Sequence, residues 1–110
     1  MAIFDVDKSF DALAIRDTSN HNSNVSDHRV FSPKTIAVCN KLDKTVTFQL
    51  QGSFAEAFTE VFDIGASFDV TATTNGWQNA EVYFPYLRLV ASCSVSPTAG
   101  TLTVFFLKRE

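Results

Sequence analysis

Residues 46–54 read VTFQLQGSF. Val46, Phe48 and Leu50 alternate with Thr47, Gln49 and Gln51, and a Gly–Ser pair then breaks the run. Successive strand side chains point to opposite faces, so this pattern predicts a strand with one buried and one wetted face. Whether the wetted face is a binding site or the plain outside of a sheet is the first functional question.

The same period recurs along the chain. SFDVTAT (67–73) sets Phe68, Val70 and Ala72 against Asp69 and Thr71, and YLRLVASCSV (86–95) sets Leu87, Leu89, Ala91 and Cys93 against Tyr86, Arg88, Val90 and Ser92. TLTVFFLK (101–108) puts Leu102, Val104 and Phe106 on one face and Thr101, Thr103, Phe105 and Leu107 on the other. KTIAVCN (34–40) is β-rich and stops at Asn40, followed by a KLDK turn. HRVF (28–31) and AEVYF (80–84) read as short strands, with Pro85 at a strand end, bulge or edge. Asn75–Gly76 signals a tight turn and SPTAG (96–100) another. Residues 53–64 read as a loop around Ala55–Thr59 followed by a strand from Glu60 to Ile64. Residues 1–10 show no clean period, ALAIRDT (12–18) reads as a first strand, and SNHNSNVSD (19–27) as a polar loop. Seven or eight short strands punctuated in this way predict an all-β protein, an antiparallel β-sandwich of jelly-roll-like type. The expected organisation is one domain overall, with an N-terminal arm over 1–33 holding one or two short strands and the polar loop, and a main sandwich over 34–110.

Composition narrows the function classes. The 110 residues are 45% hydrophobic with 11 Phe, which suits a packed core rather than disorder. A net charge of −3 offers no general attraction to nucleic acid or anionic membrane. The opening MAIFDVDKSFDALAIRD has acids where a secretory signal has a basic and then an apolar region, so the chain reads as soluble and made in the cytosol. Cys39 and Cys93 fall in separate predicted strands and read as reduced core residues or free thiols.

Catalytic chemistry needs converging titratable groups. His21 and His28 fall in or beside the polar loop and read as solvated, with no Cys or paired acid at a zinc spacing. There is no phosphate loop, nucleophile elbow or Cys–His signature. Asp63 and Asp69 would pair across a hairpin only in a glycosidase-like site, and DVDKSFD (5–11) lacks the glycine and distal glutamate of an EF-hand. NVS (24–26) matches a glycosylation sequon that has no secretory signal to accompany it. The expectation is a protein that is not an enzyme, with no catalytic residue, cofactor or metal.

Residues 34–108 carry a longer pattern: KTIAVCNKLDKTVTFQLQGS, FDIGASFDVTATTN, YFPYLRLVAS and SPTAGTLTVFFLK. It resembles small β-sandwich structural proteins of tailed bacteriophages and prophages. In that group a strand ending in Asn precedes a tVtfqlqgS strand, and a yPYlRl strand and a P(T/S)-x-GtltV strand follow. The resemblance implies a virion role in capsid decoration, a head fibre or a tail component. The implied partners are further copies of the chain, as a homo-oligomer, and a major capsid or tail protein, with no nucleic acid and no membrane. Synthesis would be in the host cytoplasm.

Two sets of side chains follow as candidate sites. Phe105 stands next to Phe106, and adjacent strand residues face opposite ways. One of the two must therefore leave the core and meet a second layer, either the chain's own N-terminal arm or another subunit; in the second case Phe105 and Leu107 are the candidate interface. The alternative function is a carbohydrate-binding sandwich module that stacks sugar rings on Trp77, Tyr83 and Tyr86.

Overall fold

The computed structural model describes residues 4–28, 34–80 and 84–109. Nine strands run through them: β1 (Phe4–Leu13), β2 (His21–Asn22), β3 (Ser26–Asp27), β4 (Lys34–Asn40), β5 (Val46–Ser53), β6 (Phe62–Val70), β7 (Asn75–Ala80), β8 (Tyr86–Ser92) and β9 (Leu102–Arg109). They form two antiparallel sheets. One has the order β1-β9-β4-β7, and the other β2-β8-β5-β6 with β3 also pairing β8. With β2 and β3 taken as one interrupted strand, this is the jelly-roll-like arrangement of two interleaved Greek keys. Among the described residues there is no helix.

The alternating residues fill the space between the sheets. Val46, Phe48 and Leu50 of β5, Leu87, Leu89 and Ala91 of β8, Ile36 and Val38 of β4, and Leu102, Val104 and Phe106 of β9 are all buried there. Phe48 stacks on Phe68 at 5.3 Å between centroids, a favourable offset for two rings. The face assignments made from period two hold on these strands.

Two of the boundary misreadings come from bulges. β1 shifts register twice against β9, between Lys8 and Phe10 and between Phe10 and Leu13. Each shift breaks the alternation, which is why residues 4–13 show no period and the first strand ends at Leu13 instead of running over 12–18. β6 shifts against β5 between Phe48 and Leu50, with Gly65 at φ 66°. Two apparent segments, 60–64 and 67–73, are therefore one bulged strand. The Gln49 amide donates to the carbonyls of Ile64 (3.2 Å) and Gly65 (3.2 Å), so a residue of the wetted face serves the bulge.

Asn75–Gly76 is not a turn but the start of β7; the turn lies at 71–74 and places Thr73 at φ 58°. Gly76 instead answers a close approach, since a Cβ there would sit 3.0 Å from a Val70 methyl. HRVF and AEVYF fall in large part on residues 29–31 and 81–83, which lie outside the described residues.

Buried Asn40 ties two turns together. Its side-chain amide donates to the carbonyls of Val70 (3.0 Å), Thr71 (3.1 Å) and Lys44 (3.2 Å), and its carbonyl accepts from the Leu42 N–H (3.0 Å). The Asn that ends β4 therefore clips the β4–β5 and β6–β7 connections to each other.

The opposite side is closed by a charge. Lys108 is only 4% exposed and points between the sheets. Its ammonium donates to Asp7 Oδ2 of β1 (2.7 Å) and to the Asp27 carbonyl of β3 (2.9 Å). The Ser26 hydroxyl donates to the same Asp7 oxygen at 2.7 Å. Burial acts to raise the Asp7 pKa, but the hydrogen bonds from Lys108 and Ser26 and the Lys108 charge outweigh it and leave it below the usual carboxylate value. His28, read as solvated, is instead buried edge-on against the Phe106 ring at 5.3 Å.

Three outcomes are expected. Phe48→Ala should cost about 3–5 kcal/mol in urea denaturation, the range for a core aromatic truncated to a cavity. Asn40→Ala should cost about 2–3 kcal/mol by leaving buried carbonyls unpaired, and Asn40→Asp more, because it sets an acceptor against three carbonyls. Asp7 is more acidic folded than unfolded, so its contribution is complete above the ordinary carboxylate pKa of about 3.9 and lost as pH falls through the lowered folded value. The stability gap between wild type and Asp7→Asn, measured by thermal melts, should be constant near neutrality and shrink below about pH 4.

Candidate functional site

A sandwich has two outer faces, and here they differ in chemistry. The outer face of the β2-β8-β5-β6 sheet is polar and bonded to itself. Thr47 donates to Asp69 (2.7 Å), Gln51 donates to Asp63 (2.9 Å), and Arg88 Nε donates to Gln51 Oε1 (3.0 Å). The Arg88 guanidinium lies over the Phe58 ring, 4.4 Å from its centroid. Thr47, Gln49 and Gln51 therefore have their polar groups committed within the protomer. Asp63 and Asp69 do not pair across a hairpin; they lie on one strand and each answers a β5 side chain.

The outer face of the β1-β9-β4-β7 sheet carries a run of apolar side chains among polar ones. Directly opposed residues of antiparallel strands share a face. Lys8, Phe105, Ala37 and Trp77 therefore form one row across the four strands, and Val6, Leu107, Thr35 and Asn79 form the next. Cys39 continues the face beside Thr103 and Asn75. Val6 is 56% exposed, Leu107 39% and Trp77 71%. Phe105 is half-buried, with the Lys8 ammonium 5.9 Å from its ring centroid. Phe106, by contrast, is fully buried, so the adjacent pair splits between core and surface. β1 joins the sheet edge-on beside β9 and leaves this face open.

The structure thus brings Phe105, Leu107 and Trp77 onto one face. Tyr86 lies on the outer face of the other sheet, opposite Ser53 and Asp27, so it shares no surface with Trp77. Tyr83 lies outside the described residues. Val6 is a member of the apolar face that sequence reasoning missed, because the bulges of β1 hide its alternation. Trp77 reads from the sequence as a sugar-stacking ring of the alternative function and not as part of this face, because Asn75–Gly76 reads as a turn.

Other chemistry-bearing groups are engaged locally. His21 and Ser19 both bond Asp17 Oδ1, at 2.9 Å each, and these bonds hold the exposed Asp17 carboxyl below its usual pKa. Cys39 and Cys93 are free thiols, and burial pushes the Cys93 thiol up. Among the described residues no group of three or more His, Cys, Asp or Glu is placed to hold a metal ion.

No protein-family model and no curated protein sequence matches the chain. Its fold is similar to that of PBSX exported protein XepA, with a TM-score of 0.73 and 11% identity over 96% of this chain and 36% of XepA. The chain thus spans about a third of that protein's length. SPBc2 prophage-derived protein YomS is similar over 100% of this chain and 96% of its own, with a TM-score of 0.61 and 8% identity. The coat protein of Tobacco streak virus is similar over 99% of this chain and 85% of its own, with a TM-score of 0.59 and 8% identity. At these identities the likeness is one of fold. The fold is that of a group of solved structures that includes a prophage-derived protein and a viral coat protein, the company to which the motifs of residues 34–108 also point.

Proposed function

We propose that this protein is a non-enzymatic structural component of a bacteriophage particle, a capsid decoration, head-fibre or tail protein that works by self-association and docking. The observation that carries the reading is the apolar outer face built by Val6, Phe105, Leu107 and Trp77. Contiguous exposed apolar surface on a soluble domain marks an interaction site. The contrast within one molecule supports this, because the other outer face has its polar groups paired internally and offers little to a partner. The resemblance in residues 34–108 and the shared fold with a prophage-derived protein and a coat protein favour a particle component over other kinds of association. A lattice component needs a rigid module with a surface for its neighbours, and a two-sheet sandwich with an apolar run on one outer face is compatible with that need.

The test is the mass of the protein in solution. Wild type should sediment above the protomer mass at micromolar concentration. Phe105→Asp should lower the average mass while leaving the far-ultraviolet circular dichroism spectrum unchanged, because a charge buried without a partner at an interface is costly. A wild-type protein that stays monomeric at high micromolar concentration contradicts self-association. A Phe105→Asp protein that unfolds contradicts the placement of Phe105 outside the protomer's own core.

A further inference from the structure

Five strands stand at the four lateral limits of the two sheets, β2 and β3 sharing one of them in short pieces, and three of these places are visibly protected. Edge strands present unpaired N–H and C=O groups, and natural proteins blunt them with charges, bulges or short length. β1 carries Asp7, Lys8 and Asp11 and two register shifts. β2 and β3 are two residues each. β6 carries Asp63, Asp69 and the bulge at Gly65. β7, NGWQNA, has no charge, no proline and an unbroken register with β4 over all six residues. Among the described residues no strand pairs with its other edge.

The ladder fixes which backbone groups face outward. The Asn40 N–H donates to the Thr74 carbonyl at 3.1 Å, and this pair continues the β4–β7 register, in which Cys39 opposes Asn75. Hydrogen-bonded and non-hydrogen-bonded pairs alternate along an antiparallel ladder. Gly76, Gln78 and Ala80 therefore turn their backbone groups toward β4. Asn75, Trp77 and Asn79 turn theirs toward the free edge. Beside this edge a cavity of about 170 Å³ opens toward the core, with Ile36, Leu50, Ile64 and Phe68 in its wall.

We infer that the free edge of β7 takes the β7 strand of a second copy, antiparallel and centred on Trp77, so that the two four-stranded sheets become one continuous sheet about a two-fold axis. This rests on the self-association proposed above and names where and how it occurs. The occupant follows from the strand's self-complementarity. With Trp77 facing Trp77 of the second copy, Asn75 faces Asn79 of that copy and Gly76 faces Gln78, so side-chain faces match across the axis. All three outward N–H and all three outward C=O groups of each strand then find partners, and no charge meets a like charge. The interface is isologous and closes on itself. It also joins the two apolar outer faces through Trp77, which ends the Phe105–Ala37–Trp77 row in each copy.

Register-specific cross-linking tests this. In a Cys39→Ser background, Trp77→Cys places two Cα atoms about 5.5 Å apart, within disulfide reach. Asn75→Cys places its own pair four residues out of step, about 13 Å apart along the strand. Mild oxidation should convert most of the Trp77→Cys protein to covalent dimer and little of the Asn75→Cys protein. Asn79→Pro removes an outward N–H together with the exposed Thr35–Asn79 side-chain hydrogen bond, and should weaken dimerisation ten-fold or more with an unchanged circular dichroism spectrum. If wild type associates but position 77 does not cross-link, or position 75 cross-links equally well, the edge pairing is wrong while self-association stands. If wild type is monomeric at high micromolar concentration, both fall together. Should Asn79→Pro fail to fold, the two cysteine variants decide the matter alone.

Discussion

A two-layer sandwich has one dry interior, so each of its strands can hide only one of its two faces. Most of what is distinctive in this protein follows from how it treats the second face. On β5, β6 and β8 the second face is polar, and its side chains bond one another across the strands. On β9, β4, β7 and β1 it carries Phe105, Leu107, Ala37, Trp77 and Val6, which nothing in the protomer's own core can absorb. The fold is thereby polarised into a finished side and an unfinished one. The free edge of β7 lies on the same sheet as the unfinished face, so one added strand would extend that face and satisfy that edge together.

The interior is held laterally by two polar devices of different character. Asn40 gathers carbonyls from two connections at one end, a neutral arrangement insensitive to pH in the ordinary range. Lys108 gathers Asp7 and the Asp27 carbonyl where β1 and β3 approach each other, and its strength depends on an ionised carboxylate. A buried charge in that position is costly unless every partner is present, so the N-terminal strand is fastened to the sandwich by more than its ladder bonds. That matters for the outer face, because Val6 and Lys8 belong to the same strand as Asp7 and point the other way.

Legibility in the sequence tracked regularity of the backbone. β5, β8 and β9 pair without an extra residue in the β5–β8 and β4–β9 ladders, and their alternation identified core and surface side by side, including the split of Phe105 from Phe106. β1 and β6 bulge: each single extra residue in β1 inverts the period and hides Val6, and the two extra residues of β6 around Gly65 interrupt the alternation and hide the continuity of 62–70. Asn75–Gly76 has strong turn chemistry, yet the turn forms three residues earlier, at Ala72–Thr73. There the Thr73 N–H reaches the Leu42 carbonyl, and Asn40 holds the carbonyls of Val70 and Thr71. That long-range clip outweighs a local preference, and no window of sequence around residue 75 contains it. Half of the candidate face was thus readable from β9 alone, and the half contributed by β1 and β7 required the sheet order.

Trp77 is the protein's one tryptophan, and it sits on the open face at the free edge, 71% exposed in the protomer. It reports directly on whether that surface is covered. Acrylamide quenching of its fluorescence, followed across a concentration series together with sedimentation mass, is the most direct measurement of the account. The account predicts efficient quenching and red-shifted emission in dilute protomer, with quenching falling and emission shifting blue in step with the rise in mass. A rise in mass with Trp77 still as quenchable as in the dilute protomer would contradict it, because association would then use a different surface.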